Sequence, residues 1–196
     1  MRTGKILKYI AFALGALWSL GFGLFAAGYA LEVPGGAGLV ALYAVPVILL
    51  SALALWRPDW AWPVLAVLVV VVIGVGVADT FRIGINRDAS GPVGAVWLLA
   101  AGFVLVFLGL RRAKMAGLLL VVMALASFGV LLSHVARMVG PAGEGPRIGD
   151  LLGGSSGVGV LPTLFVGALF LLAGFLMKEP LLGTRSPKPQ RPLTRV

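Results

Sequence analysis

Apolar residues run along this chain in six long uncharged blocks, parted by short segments where proline, glycine and charge collect. The blocks fall at about 9–31, 37–56, 60–78, 92–110, 115–137 and 158–177. Each is close to the roughly 20 residues that an α-helix needs to cross about 30 Å of hydrocarbon. A helix apolar on all sides has no face to turn towards water, so lipid or a core has to surround it. The pattern predicts an all-α polytopic membrane protein, a bundle of six transmembrane helices within residues 1–178, with a separate tail over 179–196. The joints read "EVPGG", "RPD", "DTFRIGINRDASG", "RRAK" and "GPAGEGPRIGDLLGGSSG", with proline and glycine where turns require them. Pro63 falls in the first turn of its helix by this reading, where a missing N–H costs little, whereas Pro46 is mid-span and is expected to kink the second helix. The first apolar block, at about 23 residues, exceeds the roughly 7–15 of a signal-peptide core and reads as a retained helix.

Composition supports the pattern. The chain is 60% hydrophobic and 12% charged, with mean hydropathy +1.05, whereas soluble domains carry about 25% charged residues. It holds no cysteine and one histidine. Disulfides, thiolate metal sites, cysteine nucleophiles and two-histidine metal or haem sites are thereby excluded.

Charge sets the orientation. An even number of spans places both termini on one side, and with the N-terminus inside, twelve of the sixteen basic residues lie inside as well. These are Arg2, Lys5, Lys8, Arg57, Arg111, Arg112, Lys114, Lys178, Arg185, Lys188, Arg191 and Arg195. Arg82, Arg87, Arg137 and Arg147 are left outside, beside Glu32, Asp79, Asp88, Glu144 and Asp150. The bias predicts cytoplasmic N- and C-termini in a multi-pass plasma-membrane protein. The net charge of +9 then reads as a topology signal with affinity for anionic headgroups at the cytoplasmic face, and no nucleic-acid partner is needed. The Pro-rich basic tail "GTRSPKPQRPLTRV" reads as a strip along the inner leaflet.

Small residues indicate where helices meet, because lipid-embedded helices associate by close backbone approach. Ala11, Gly15, Ser19, Gly23 and Ala27 recur at four-residue spacing and form one packing stripe on the first helix, opposite Leu17, Trp18, Leu24 and Phe25, which suit lipid. The partner of this stripe is either another helix of the chain or another protein. Shorter seams are Ala95, Gly102 and Gly109, and Gly167 and Gly174. A faint repeat aligns "LALWRPDWAWPVLAV" with "LGLRRAKMAGLLLVV", setting Leu55 on Leu110, Arg57 on Arg112, Ala61 on Ala116, Leu65 on Leu120 and Val67 on Val122.

Candidate chemistry is sparse. No block carries Asp, Glu, Lys or Arg near its middle, which argues against a proton- or sodium-driven carrier. His134 and Arg137 close the fifth block about 20 residues from Lys114, a distance that brings them to the outer interface. With Tyr29, Glu32, Asp79 and Arg82 they form a candidate outer-mouth cluster able to hold an anionic substrate or a lipid phosphate. The plainer reading, preferred here, is that these residues end helices and pair with one another. The "GGSSG" segment at 153–157 resembles the serine motif of rhomboid proteases, which require the serine within a helix and a histidine on a later one. Here the serines fall in a glycine-rich loop and the histidine comes earlier. No catalytic residue, metal site or cofactor site is identified, and an enzyme is not expected.

Two resemblances attach to these residues. "GKILKYIAFALGALWSLGFGLFA", "VPVILLSALALWRPDWAWPVLAVLV" and "LPTLFVGALFLLAGF" are similar to a family of small uncharacterised bacterial membrane proteins, which implies a six-helix fold and no activity. The Ala11–Ala27 stripe is similar to the docking surface on helix one of substrate-binding subunits of energy-coupling-factor transporters, which have six helices and both ends inside. Those subunits line an outer cavity with polar and aromatic residues, of which this chain has few. The expectation is a non-enzymatic accessory or assembly component that packs through helix one, to a protein partner or to itself; the alternative is a solute-binding transporter subunit with an outward-facing site.

Overall fold

A computed structural model describes residues 2–31, 36–80, 93–138 and 155–179. These form six helices: α1 (Arg2–Leu31), α2 (Gly36–Trp56), α3 (Pro58–Thr80), α4 (Val93–Arg111), α5 (Ala113–Met138) and α6 (Ser155–Leu176). Over Arg2–Leu24, Ala113–Val130 and Gly159–Leu176, the helices α1, α5 and α6 are long and apolar enough to cross a membrane. The described apolar stretches of the other three are shorter: Val40–Trp56, Pro58–Gly74 and Leu98–Arg111.

Several boundaries differ from the sequence reading, each for a local reason. Helix α1 starts at Arg2 instead of near residue 9. Its first turn is held against α6, since a Cβ on Gly4 would stand 2.8 Å from Met177 Cγ and 3.2 Å from the Ala173 carbonyl. Ser155 and Ser156 open α6, so the serines of "GGSSG" lie on a helix and not in a loop; serine suits a helix start because its hydroxyl competes for free backbone N–H groups. Pro58, not Pro63, takes the first position of α3, and Pro63 lies a turn deeper. Helix α2 continues unbroken through Pro46.

The arrangement is a ring around a centre. Each neighbouring pair in the order α1–α2–α3–α5–α6–α1 is in contact, and α4 packs against all five. Leu98, Ala101, Val104, Leu105, Val106 and Leu108 of α4 are buried, and Arg111 is its one exposed residue among the described side chains. The ring helices turn large apolar side chains outward: Leu17 and Leu24 on α1, Ile48 and Leu49 on α2, Val67 and Val70 on α3, Leu125 on α5, Phe165 and Leu172 on α6. Water penalises such a shell at about 25 cal/mol per Å² of apolar surface, so hydrocarbon is the solvent that matches it.

Glycine sets a close contact between α5 and α6. A Cβ on Gly117 would stand 2.6 Å from Leu171 N and 2.8 Å from the Gly167 carbonyl, and one on Gly167 would stand 3.1 Å from Val121 N. Backbone meets backbone there, and a side chain would push the helices apart.

The repeat noted in the sequence has a structural counterpart. Helices α2 and α3 are joined by Arg57 alone, and α4 and α5 by Arg112 alone. Arg57 N donates to the Leu53 carbonyl and Arg112 N to the Leu108 carbonyl, both at 2.8 Å. In turn Ala61 N donates to the Arg57 carbonyl and Ala116 N to the Arg112 carbonyl, both at 3.0 Å. Ala61, Leu65, Ala116 and Leu120 are all buried. Two hairpins with matching turns therefore enter the bundle from the same end.

Candidate functional site

Charge gathers at one end of the bundle, where helix termini supply it. Lys8, on the second turn of α1, donates to the Leu110 carbonyl at 3.1 Å. That carbonyl belongs to the last turn of α4, where unpaired C=O groups and the helix dipole both favour a cation. Arg112 pairs with Asp59, tying the α4–α5 joint to the first turn of α3. Lys114 lays its ammonium 4.8 Å from the centre of the Phe175 ring, and its backbone N–H donates to Glu179 at 3.4 Å. These contacts bring the start of α1, both arginine joints and the end of α6 to a common end. Around them Trp56 and Trp60 are 82% and 70% exposed, in the manner of aromatic residues at a membrane interface. Sequence reasoning placed these cations on one side but gave no hint of their pairings, which join residues as far apart as Lys8 and Leu110.

The α1 stripe divides in two. Ala11 and Gly15 are buried inside the bundle, and a Cβ on Gly15 would stand 2.6 Å from Val106 Cγ2 and 3.0 Å from Val166 Cγ1. Ser19 lines a small cleft. Gly23 has no described atom within 4 Å of where its Cβ would be. Among the described residues, the tight packing of α1 within its own chain therefore ends before Gly23. The side chain of Ala27 lies outside the described residues. Gly21 and Gly28 are likewise open, on the face that exposes Leu17 and Leu24.

Trp18 departs from its expected place on the lipid side. It is only partly exposed, its indole Nε1 is buried without a hydrogen-bond partner, and it lines the same cleft as Ser19 instead of lying wholly in lipid. That cleft, of about 10 Å³, lies among α1, α4, α5 and α6 and is also lined by Gly102, Pro162 and Thr163. A second cavity of about 60 Å³ lies among α2, α3 and α4, bounded by Tyr43, Pro46, Leu68 and Val104, and is almost wholly apolar.

For the outer-mouth cluster, the structure places backbone only. Tyr29 is near the end of α1, Asp79 near the end of α3, and His134 and Arg137 in the last turns of α5. All four are thus at the end of the bundle opposite the charged one. Their side chains, and Glu32 and Arg82 entirely, lie outside the described residues. Comparison with family models, with curated proteins and with solved structures finds no match for this chain.

Proposed function

We propose that this chain is a six-span protein of a bacterial plasma membrane that serves as a non-enzymatic accessory or assembly component and docks its partner through α1. Both termini and the joints at Arg57 and Arg112 face the cytoplasm in this reading. The outward apolar shell supports the membrane setting, and the common charged end supports the orientation, with Lys5, Arg57 and Arg111 left to meet anionic headgroups.

The docking reading rests on the divided stripe. Ala11 and Gly15 are used up inside the bundle, while Gly23 is open and allows a second backbone to approach. A solute-binding subunit is the less supported reading. Sites for small molecules enclose about 300–1,000 Å³, and among the described residues, which leave out the outer-mouth side chains, the larger of the two cavities described above holds about 60 Å³.

The test is purification in mild detergent with native mass spectrometry of the intact assembly. Leucine at Gly23 should strip the companion protein, or the second copy, and leave the monomer folded. Retention of the same companion by Gly23→Leu, with native thermal stability, would remove α1 from the docking surface. A bound small molecule and no protein would favour the transporter subunit.

A further inference from the structure

The larger cavity lies where lipid can reach it. Leu42 and Pro46 of α2 line it and are themselves exposed, so it opens towards the outside of the bundle. Ala100 and Ala101 of α4, too small to fill the space, form its inner wall. Pro46 and Leu68 each stand eleven residues from the joint at Arg57, and Ala101 stands eleven from the joint at Arg112. At 1.5 Å per residue the cavity is therefore about 16 Å from the charged end. That is close to half of the roughly 30 Å of hydrocarbon in a bilayer, the depth at which the acyl chains of one leaflet end. Water stays out of apolar cavities, and one of about 150 Å³ takes up benzene. The cavity of about 60 Å³ suits a smaller apolar group, the end of a hydrocarbon chain.

A line of α2 residues joins this cavity to charge. Arg57 N donates to the Leu53 carbonyl, so Arg57 continues α2 by one residue. Eleven residues are about three helical turns, which sets Arg57 directly below Pro46. Arg57 is exposed and has no acidic partner among the described residues, unlike Arg112, which pairs with Asp59. Leu42, Leu49 and Trp56, seven residues apart, make a neighbouring line up α2, and all three are exposed. We infer that α2 and its joint bind one anionic phospholipid of the leaflet at the charged end, with its phosphate on Arg57 and one chain end in the cavity. A guanidinium suits a phosphate because its fork donates two parallel hydrogen bonds. The chain then lies along Leu49, and the distance from Arg57 to the cavity matches the depth of one leaflet. The inference rests on the membrane setting proposed above and not on which partner, if any, α1 meets.

The test is native mass spectrometry of the full-length protein, extracted from membranes in detergent, stripped of lipid and titrated with dioleoyl phosphatidylglycerol. The wild type should take up one lipid ahead of any further uptake. Arg57→Gln should weaken that first binding about fivefold, the worth of one basic residue at a charged leaflet. Ala100→Leu fills the cavity and leaves the arginine in place; it should weaken binding about fourfold or more, the worth of one buried methylene. Wild-type affinity in either variant, or no uptake by the folded wild type, would overturn the inference. Should Ala100→Leu fail to fold, dioctanoyl phosphatidylglycerol takes its place, with the same headgroup and chains that end short of the cavity. Equal affinity of the wild type for the two lipids would then overturn the inference. Protein that only detergent releases keeps its membrane setting whatever the titration gives, so a failed site and a failed setting are told apart.

Discussion

The contact between α5 and α6 allows a sharp test, because the perturbation is one methyl group and a control exists in the same molecule. Replacing Gly117 with Ala puts a Cβ 2.6 Å from Leu171 N and 2.8 Å from the Gly167 carbonyl. Both are backbone atoms of α6, so no rotamer change relieves the overlap and the helices have to separate. Overpacking of this kind costs about 1–3 kcal/mol, and backbone opposition puts Gly117 towards the top of that range. Alanine also recovers helix propensity, about 1 kcal/mol relative to glycine. The same gain applies at Gly23, where a Cβ meets no described atom within 4 Å. The gain cancels between the two variants and leaves the overlap alone, so Gly117→Ala should be less stable than Gly23→Ala by about 1–3 kcal/mol. Unfolding by SDS in mixed micelles, followed by circular dichroism, reads the difference directly. Equal midpoints for the two variants would show that α5 and α6 do not meet at Gly117.

Three further outcomes follow from particular side chains. Phe170 is fully buried, with its ring against Gly109 of α4, and Phe170→Ala should destabilise by about 3–5 kcal/mol in the same unfolding assay. Lys178 follows α6 with φ 54°, while its N–H reaches the Phe175 carbonyl and the Glu179 N–H reaches that of Gly174. This is the glycine-favouring left-handed cap of a helix end, so Lys178→Gly should raise stability by about 1 kcal/mol, and a loss would contradict the cap. The Arg112–Asp59 pair exposes 71% of the Asp59 side chain, so a double-mutant cycle should give a coupling of about 0–1 kcal/mol that falls with added salt; a value well above that would show the pair to be shielded from solvent.

Much of the architecture was legible because lipid leaves so few choices. Long apolar blocks become helices once every backbone group has to be satisfied internally, and all six blocks overlap α1 to α6. The likeness of "LALWRPDWAWPVLAV" to "LGLRRAKMAGLLLVV" also proved informative, since Arg57 and Arg112 turn out to be equivalent one-residue joints. What the chain did not disclose was which helix is central. The block that forms α4 is less apolar than those of α2 and α6, and its glycines at 102 and 109 do not distinguish it from blocks with as many. Residue type likewise fails to tell lipid from core when both are apolar, which is why Trp18 reads in the sequence as a lipid-facing residue with Leu17 and Leu24. The pairings at the charged end escaped for a different reason. Lys8 with Leu110 and Arg112 with Asp59 depend on which termini are neighbours, and that is settled by packing alone.

The central claim, six spans with the charged end in the cytoplasm, is best tested by single-cysteine labelling, for which a chain without native cysteine is well suited. Thr3 lies in the first turn of α1, Thr80 ends α3 and Ser155 begins α6. With an impermeant maleimide on intact cells, Thr80→Cys and Ser155→Cys should label, and Thr3→Cys should label only after the membrane is opened. Labelling of Thr3→Cys in intact cells, or protection of Thr80→Cys and Ser155→Cys in them, would contradict the account.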